Sequence, residues 1–128
     1  MNFVLPTSTD TGSATIALAA SATTDGMDIT IQARTAGVQN IEFWMSESAT
    51  GIGLTGDTYS GALTAATGTI LNVLTAKKHI NVQTDATGLA VLLLVDSANP
   101  VDQYACVTNH SNGMAIVSAI SAANWEGA

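Results

Sequence analysis

Apolar and polar residues alternate along most of this chain with the period of two that marks half-buried β-strands. In MDITIQAR (27–34), Met27, Ile29, Ile31 and Ala33 fall on one side, and Asp28, Thr30, Gln32 and Arg34 on the other. SATIALAAS (13–21) places Ile16, Leu18 and Ala20 together, and NIEFWMS (40–46) sets Ile41, Phe43 and Met45 against Glu42, Trp44 and Ser46. Shorter runs follow at HINVQT (79–84), YACVTN (104–109) and MAIVSAI (114–120). LAVLLLVD (89–96) is apolar on both faces, which predicts a central strand. GTILNVLTAKK (68–78) fits either period, and its Gly and Thr flanks favour a strand.

Turn chemistry punctuates these runs. Asp25-Gly26 predicts a two-residue hairpin between the first two strands, because both residues tolerate positive φ. DATG (85–88) turns the chain before residue 89, NPVDQ (99–103) reads as a loop, and Asn112-Gly113 gives a second hairpin signal. Seven to nine short strands spaced by such turns predict an all-β fold, an immunoglobulin-like antiparallel β-sandwich. Residues 1–12 read as an N-terminal arm carrying Phe3, Val4 and Leu5 ahead of Pro6. Residues 13–128 read as the single sandwich domain.

Composition narrows function more than fold. The 128 residues are 47% hydrophobic but only 5% aromatic, so the apolar mass is small aliphatic side chains suited to sheets. Three basic residues stand against ten acidic ones, a formal net charge of −7. Nucleic-acid binders gain affinity by neutralising phosphates with Lys and Arg, so direct nucleic-acid binding is not expected. The N-terminus has no basic region ahead of an apolar run, and no span of 18 apolar residues exists. The expectation is a protein made and soluble in the cytosol, with no membrane partner. One cysteine, Cys106, excludes a disulfide within the chain.

Chemical motifs are few. SATGIGLTGDT (48–58) contains Gly51-x-Gly53-x-x-Gly56, the spacing of a dinucleotide site. That site requires a strand before the glycines and a helix after them. The following DTYSGALTAATG has no helical stripe, and Asp57 would stand where phosphate must come, so the glycines are expected to serve a loop. Cys106 and His110, on one strand, would lie about 13 Å apart, beyond the reach of a nucleophile and its base. His79 has no ligand at metal spacing and follows Lys77 and Lys78. No calcium loop is present. The chain is therefore expected to be no enzyme, with no catalytic residues, cofactor or metal. Lys77 and Lys78, two of three positive charges, are candidate contacts to an acidic partner. Trp44 and Trp125 are the candidate platforms for a glycan or partner.

From about residue 27 to residue 119 the order of segments resembles an Ig-like β-sandwich module of tailed-bacteriophage virion proteins. SESATGIGLT (46–55) and LTAKKHINVQTDATGLAVLLLVDSA (74–98) carry most of the likeness, the latter as a strand, a T-D-x-x-G turn and another strand. The resemblance spans about three quarters of the chain. It implies a structural role, as a head decoration, head-fibre or tail-associated protein. In many such proteins the module is an appendage, whereas here it nearly fills the chain, which looks more like a standalone accessory protein. The implied partner is the major capsid protein, with homo-oligomerisation, and the implied location is the virion capsid surface after synthesis in the host cytoplasm. Phe3, Val4 and Leu5 would then add a strand to a neighbour or the shell.

Overall fold

A computed structural model describes residues 14–108 and 115–127. The arm residues Phe3, Val4 and Leu5, together with His110 and the Asn112-Gly113 turn, lie outside the described residues. Among the described residues nine strands form: β1 (Thr15–Ala20), β2 (Gly26–Gln32), β3 (Asn40–Ser46), β4 (Leu63–Thr67), β5 (Thr69–Thr75), β6 (His79–Gln83), β7 (Leu89–Val95), β8 (Tyr104–Thr108) and β9 (Ala115–Ala119). A 3-10 turn, Ala122–Asn124, follows β9. Two sheets result, ordered β1-β2-β7-β4 and β5-β6-β3-β8-β9, and every pairing is antiparallel.

The alternation in the sequence is the reason these strands have an inside. Met27, Ile29 and Ile31 of β2, Ile41, Phe43 and Met45 of β3, Ile80 and Val82 of β6, and Ala90, Leu92 and Leu94 of β7 are all buried. With Ala105 and Val107 of β8 they form one core between the sheets. Each of the buried Val, Leu, Ile, Met and Phe side chains contributes about 1.5–3 kcal/mol relative to an exposed one. β7, apolar on both faces, is indeed central: β2 and β4 flank it.

The strand arrangement is immunoglobulin-like with one change of route. In an immunoglobulin sandwich an A-B-E-D sheet faces G-F-C, extended in variable-type domains by C′ and C″. Here β1, β2, β7 and β4 occupy the A, B, E and D places, and β9, β8, β3, β6 and β5 occupy G, F, C, C′ and C″. The middle of the chain visits those places in a different order. After β3 it goes to the D place, passes to the C″ place, and only then returns beside β3. Gly68 alone separates β4 from β5, at φ +83°, so an almost continuous strand leaves one sheet and joins the other. A Cβ there would press on the Gln83 carbonyl oxygen.

Three expectations are corrected. The β1–β2 connection is not a two-residue turn on Asp25-Gly26. It is the loop 21–25, closed by Gly26 N–H donating to Thr23 O (2.9 Å), with positive φ at Asp25 and Gly26 already inside β2. β4 arises in residues 63–67, where no strand was expected, because its core-facing side carries only Leu63 and Ala65 and small Ala66 faces out. The alternation expected for 68–78 is broken by two bulges, between Ile70 and Asn72 and between Val73 and Thr75.

Candidate functional site

The outer face of the five-stranded sheet is where the sequence's unusual residues meet. Register aligns Thr75, His79, Trp44, Cys106 and Val117 in a row across β5, β6, β3, β8 and β9. After β3 the chain turns back over this row. Gly51 lies flat on it: a Cβ at that position would stand 2.9 Å from Ala115 Cβ, 3.1 Å from Val117 Cγ2 and 3.4 Å from Cys106 Sγ. Gly51 and Gly53 have φ of +76° and +80°. The Trp44 indole N–H donates to the Gly51 carbonyl (2.8 Å) and fixes the height of the crossing. The glycines thus allow a backbone to cover a sheet, and no helix follows them.

This cover explains two burials that alternation does not. Ser46, on the polar side of β3, is fully buried beneath the crossing, and its hydroxyl donates to Ile52 O. Cys106 is fully buried as well, and loss of hydration raises its thiol from an ordinary value of 9.0 to about 11. It is an inert apolar group at neutral pH.

Beyond Gly53 the crossing segment is anchored to the sandwich by polar contacts. Thr55 N–H donates to Met45 O (2.8 Å), while Glu47 accepts from Thr55 Oγ1 and Gly56 N–H. Tyr59 enters the interior; its hydroxyl donates to Gln103 Oε1, and Gln103 Nε2 donates to Asp57 Oδ2 (2.8 Å). Burial, followed by the charges of Asp57, Asp96 and Glu47, holds the Tyr59 phenol protonated far above its usual range. Tyr59 and Gln103 were not singled out in the sequence. The available signal was a lone aromatic in a polar, glycine-rich stretch, where only a binding pocket for its ring makes sense of it.

The candidate contacts fare differently. Lys77 Nζ donates to Tyr59 O (2.8 Å) and Lys78 Nζ to Thr55 O (3.2 Å), so both ammonium groups hold the crossing segment within this chain. Trp125 is 2% exposed, with its N–H on Pro100 O (2.7 Å); its ring belongs to the core and offers no platform at the surface. Trp44 is half-buried and borders a shallow open cleft of about 280 Å³ with Glu42, Gly51, Gly53, Leu54 and His79. The His79 ring meets it edge-on, with centroids 6.3 Å apart, and His79 Nε2 lies 3.6 Å from Glu42 Oε2.

Elsewhere Glu47, Asp57 and Asp102 border a second open cleft beside Gln103. Among the described residues no group of three or more His, Cys, Asp or Glu could hold a metal, and no helix is long and apolar enough to cross a membrane. The T-D-x-x-G turn is built around Asp85, whose Oδ1 accepts from Thr87 Oγ1 (2.7 Å), Thr87 N–H (2.8 Å) and Leu89 N–H (3.1 Å). Those hydrogen bonds, the Thr87 side chain foremost, lower its carboxyl below the ordinary value. No protein-family model matches this chain, and neither a curated protein nor a solved structure matches it.

Proposed function

We propose that this chain is a structural virion protein of a tailed bacteriophage, a decoration or cement protein that binds the outer surface of the major capsid protein shell. The observation that carries the reading is that the two stretches resembling the virion module form one unit in the fold. Residues 46–55 cover the sheet, and residues 74–98 supply the strands and lysines beside them. They are tied by Lys78 Nζ on Thr55 O, and both meet Met45, whose N–H donates to Lys78 O and whose carbonyl accepts from Thr55 N–H. The acidic charge, −7 overall, suits a protein assembled around packaged DNA without binding it. Purified protein should bind undecorated, expanded shells saturably, at a stoichiometry set by the lattice symmetry. Binding to tails with none to shells would refute it.

The Trp44 cleft favours a second reading, a tail, neck or fibre component that contacts host-surface glycans. An indole beside a carboxylate and an imidazole is a suitable sugar platform. Under this reading the wild type binds a glycan array and Trp44→Ala does not, with thermal stability checked in parallel. A wild type that binds no glycan ends it.

A further inference from the structure

We infer that the outer edge of β5 is a self-association surface at which β5 of one copy packs against β5 of a second. β5 ends the five-stranded sheet, and among the described residues nothing pairs with its outer side. It exposes three large apolar side chains, Leu71 (48%), Val73 (55%) and Leu74 (47%). β1, an edge strand of the four-stranded sheet, shows solvent mainly Thr15, Ala17, Ala19 and Ala20, all small. Natural sheet edges are usually protected by charges, lysines above all. Here no charged residue occurs from 58 to 76, a stretch that contains both β4 and β5. The two lysines that follow are bonded back onto the crossing segment.

The charge pattern selects the occupant. Among the described residues of β5 a basic or acidic partner finds no complementary group. A second copy also carries −7, and it can approach closely only where neither molecule presents charge. A two-fold axis at β5 sets Leu71, Val73 and Leu74 of each copy against the same residues of the other, an isologous contact. The bulges interrupt the β5–β6 ladder, so side chains rather than a long backbone ladder carry the contact. The inference takes up the homo-oligomer expected of a decoration protein and adds the surface; shell binding and self-association are measured separately, so either can fail alone.

Sedimentation of the full chain across a concentration series should show a monomer–dimer equilibrium. Leu71→Glu should weaken it at least tenfold, while Ala17→Glu on β1 leaves it unchanged, each variant being checked for folding by circular dichroism. Single cysteines at 71, 73 and 74 should, for at least one position, give a covalent dimer on mild oxidation. Buried Cys106 keeps the wild type free of it. A wild type monomeric up to about 1 mM, the weak end of measurable association, overturns the inference. So does a dimer that survives Leu71→Glu, or one abolished by Leu5→Glu, which would assign the contact to the N-terminal segment.

Discussion

Replacing Gly51 and Gly53 separately by alanine isolates what the crossing segment does. Both residues have φ near +80°, so each alanine carries the same backbone penalty, roughly 1–2 kcal/mol for an L-residue in the left-handed region. Their surroundings differ. Nothing lies within 4 Å of a Cβ on Gly53, whereas a Cβ on Gly51 meets Ala115 and Val117 at 2.9 and 3.1 Å. Both contacts are on strand side chains with little freedom to withdraw, so overpacking adds about 1–3 kcal/mol at Gly51 alone. Lifting the backbone to relieve it lengthens the 2.8 Å bond from Trp44 to the Gly51 carbonyl. Gly51→Ala should therefore unfold at a lower urea midpoint than Gly53→Ala, by the equivalent of about 1–3 kcal/mol at unchanged m-value. Tryptophan fluorescence follows the transition, and the environment of Trp44 should already differ in folded Gly51→Ala. Equal losses in the two variants would refute the close approach of this segment to the sheet.

Other expectations follow from the same contacts. Lys77→Ala and Lys78→Ala each remove a charged hydrogen bond to the crossing segment, costing about 1 kcal/mol at these half-exposed sites; limited proteolysis should cut within residues 47–62 faster than in the wild type. Tyr59→Phe leaves Gln103 Oε1 without its buried donor, for a loss of about 1–3 kcal/mol by urea unfolding. At alkaline pH the sign follows from the raised acid groups. The folded state keeps the Cys106 and Tyr59 protons that the unfolded chain releases near pH 9 and 10, so the stabilisation from these two groups is fully present below pH 9 and is lost as pH rises above it. Cys106→Ala should flatten the part of that fall between about pH 9 and 11, and Tyr59→Phe the part above pH 10, in unfolding curves measured across that range. Gly68→Ala combines positive φ with a clash on a backbone carbonyl and should cost about 3 kcal/mol or more, read as a lowered Tm.

The strands were legible because burial on one face writes itself into alternate residues. Met27, Ile29 and Ile31 name their side of β2 without reference to any other part of the chain, and β7 declares itself central by being apolar on both faces. The same local rule failed at β4, where Leu63 and Ala65 face the core but the outward-facing Ala66 is apolar too and blurs the period. It failed again at β5, where bulges shift the faces partway along. That Gly51-x-Gly53-x-x-Gly56 is a loop could be read from the missing helix after it. That Gly51 rests on Cys106 and Val117 could not, because those residues are more than fifty positions away. Lys77, Lys78 and Trp125 illustrate the same limit. Charge and ring size mark them as possible contacts to a partner, and only the packed structure shows the lysines bonded to their own chain and the indole in the core. Sequence by itself determined which residues face inward, since hydrophobic burial repeats with the strand's own period. Tertiary structure decided which loop covers which face, and which edge stays bare, since those depend on contacts between segments that no local period records.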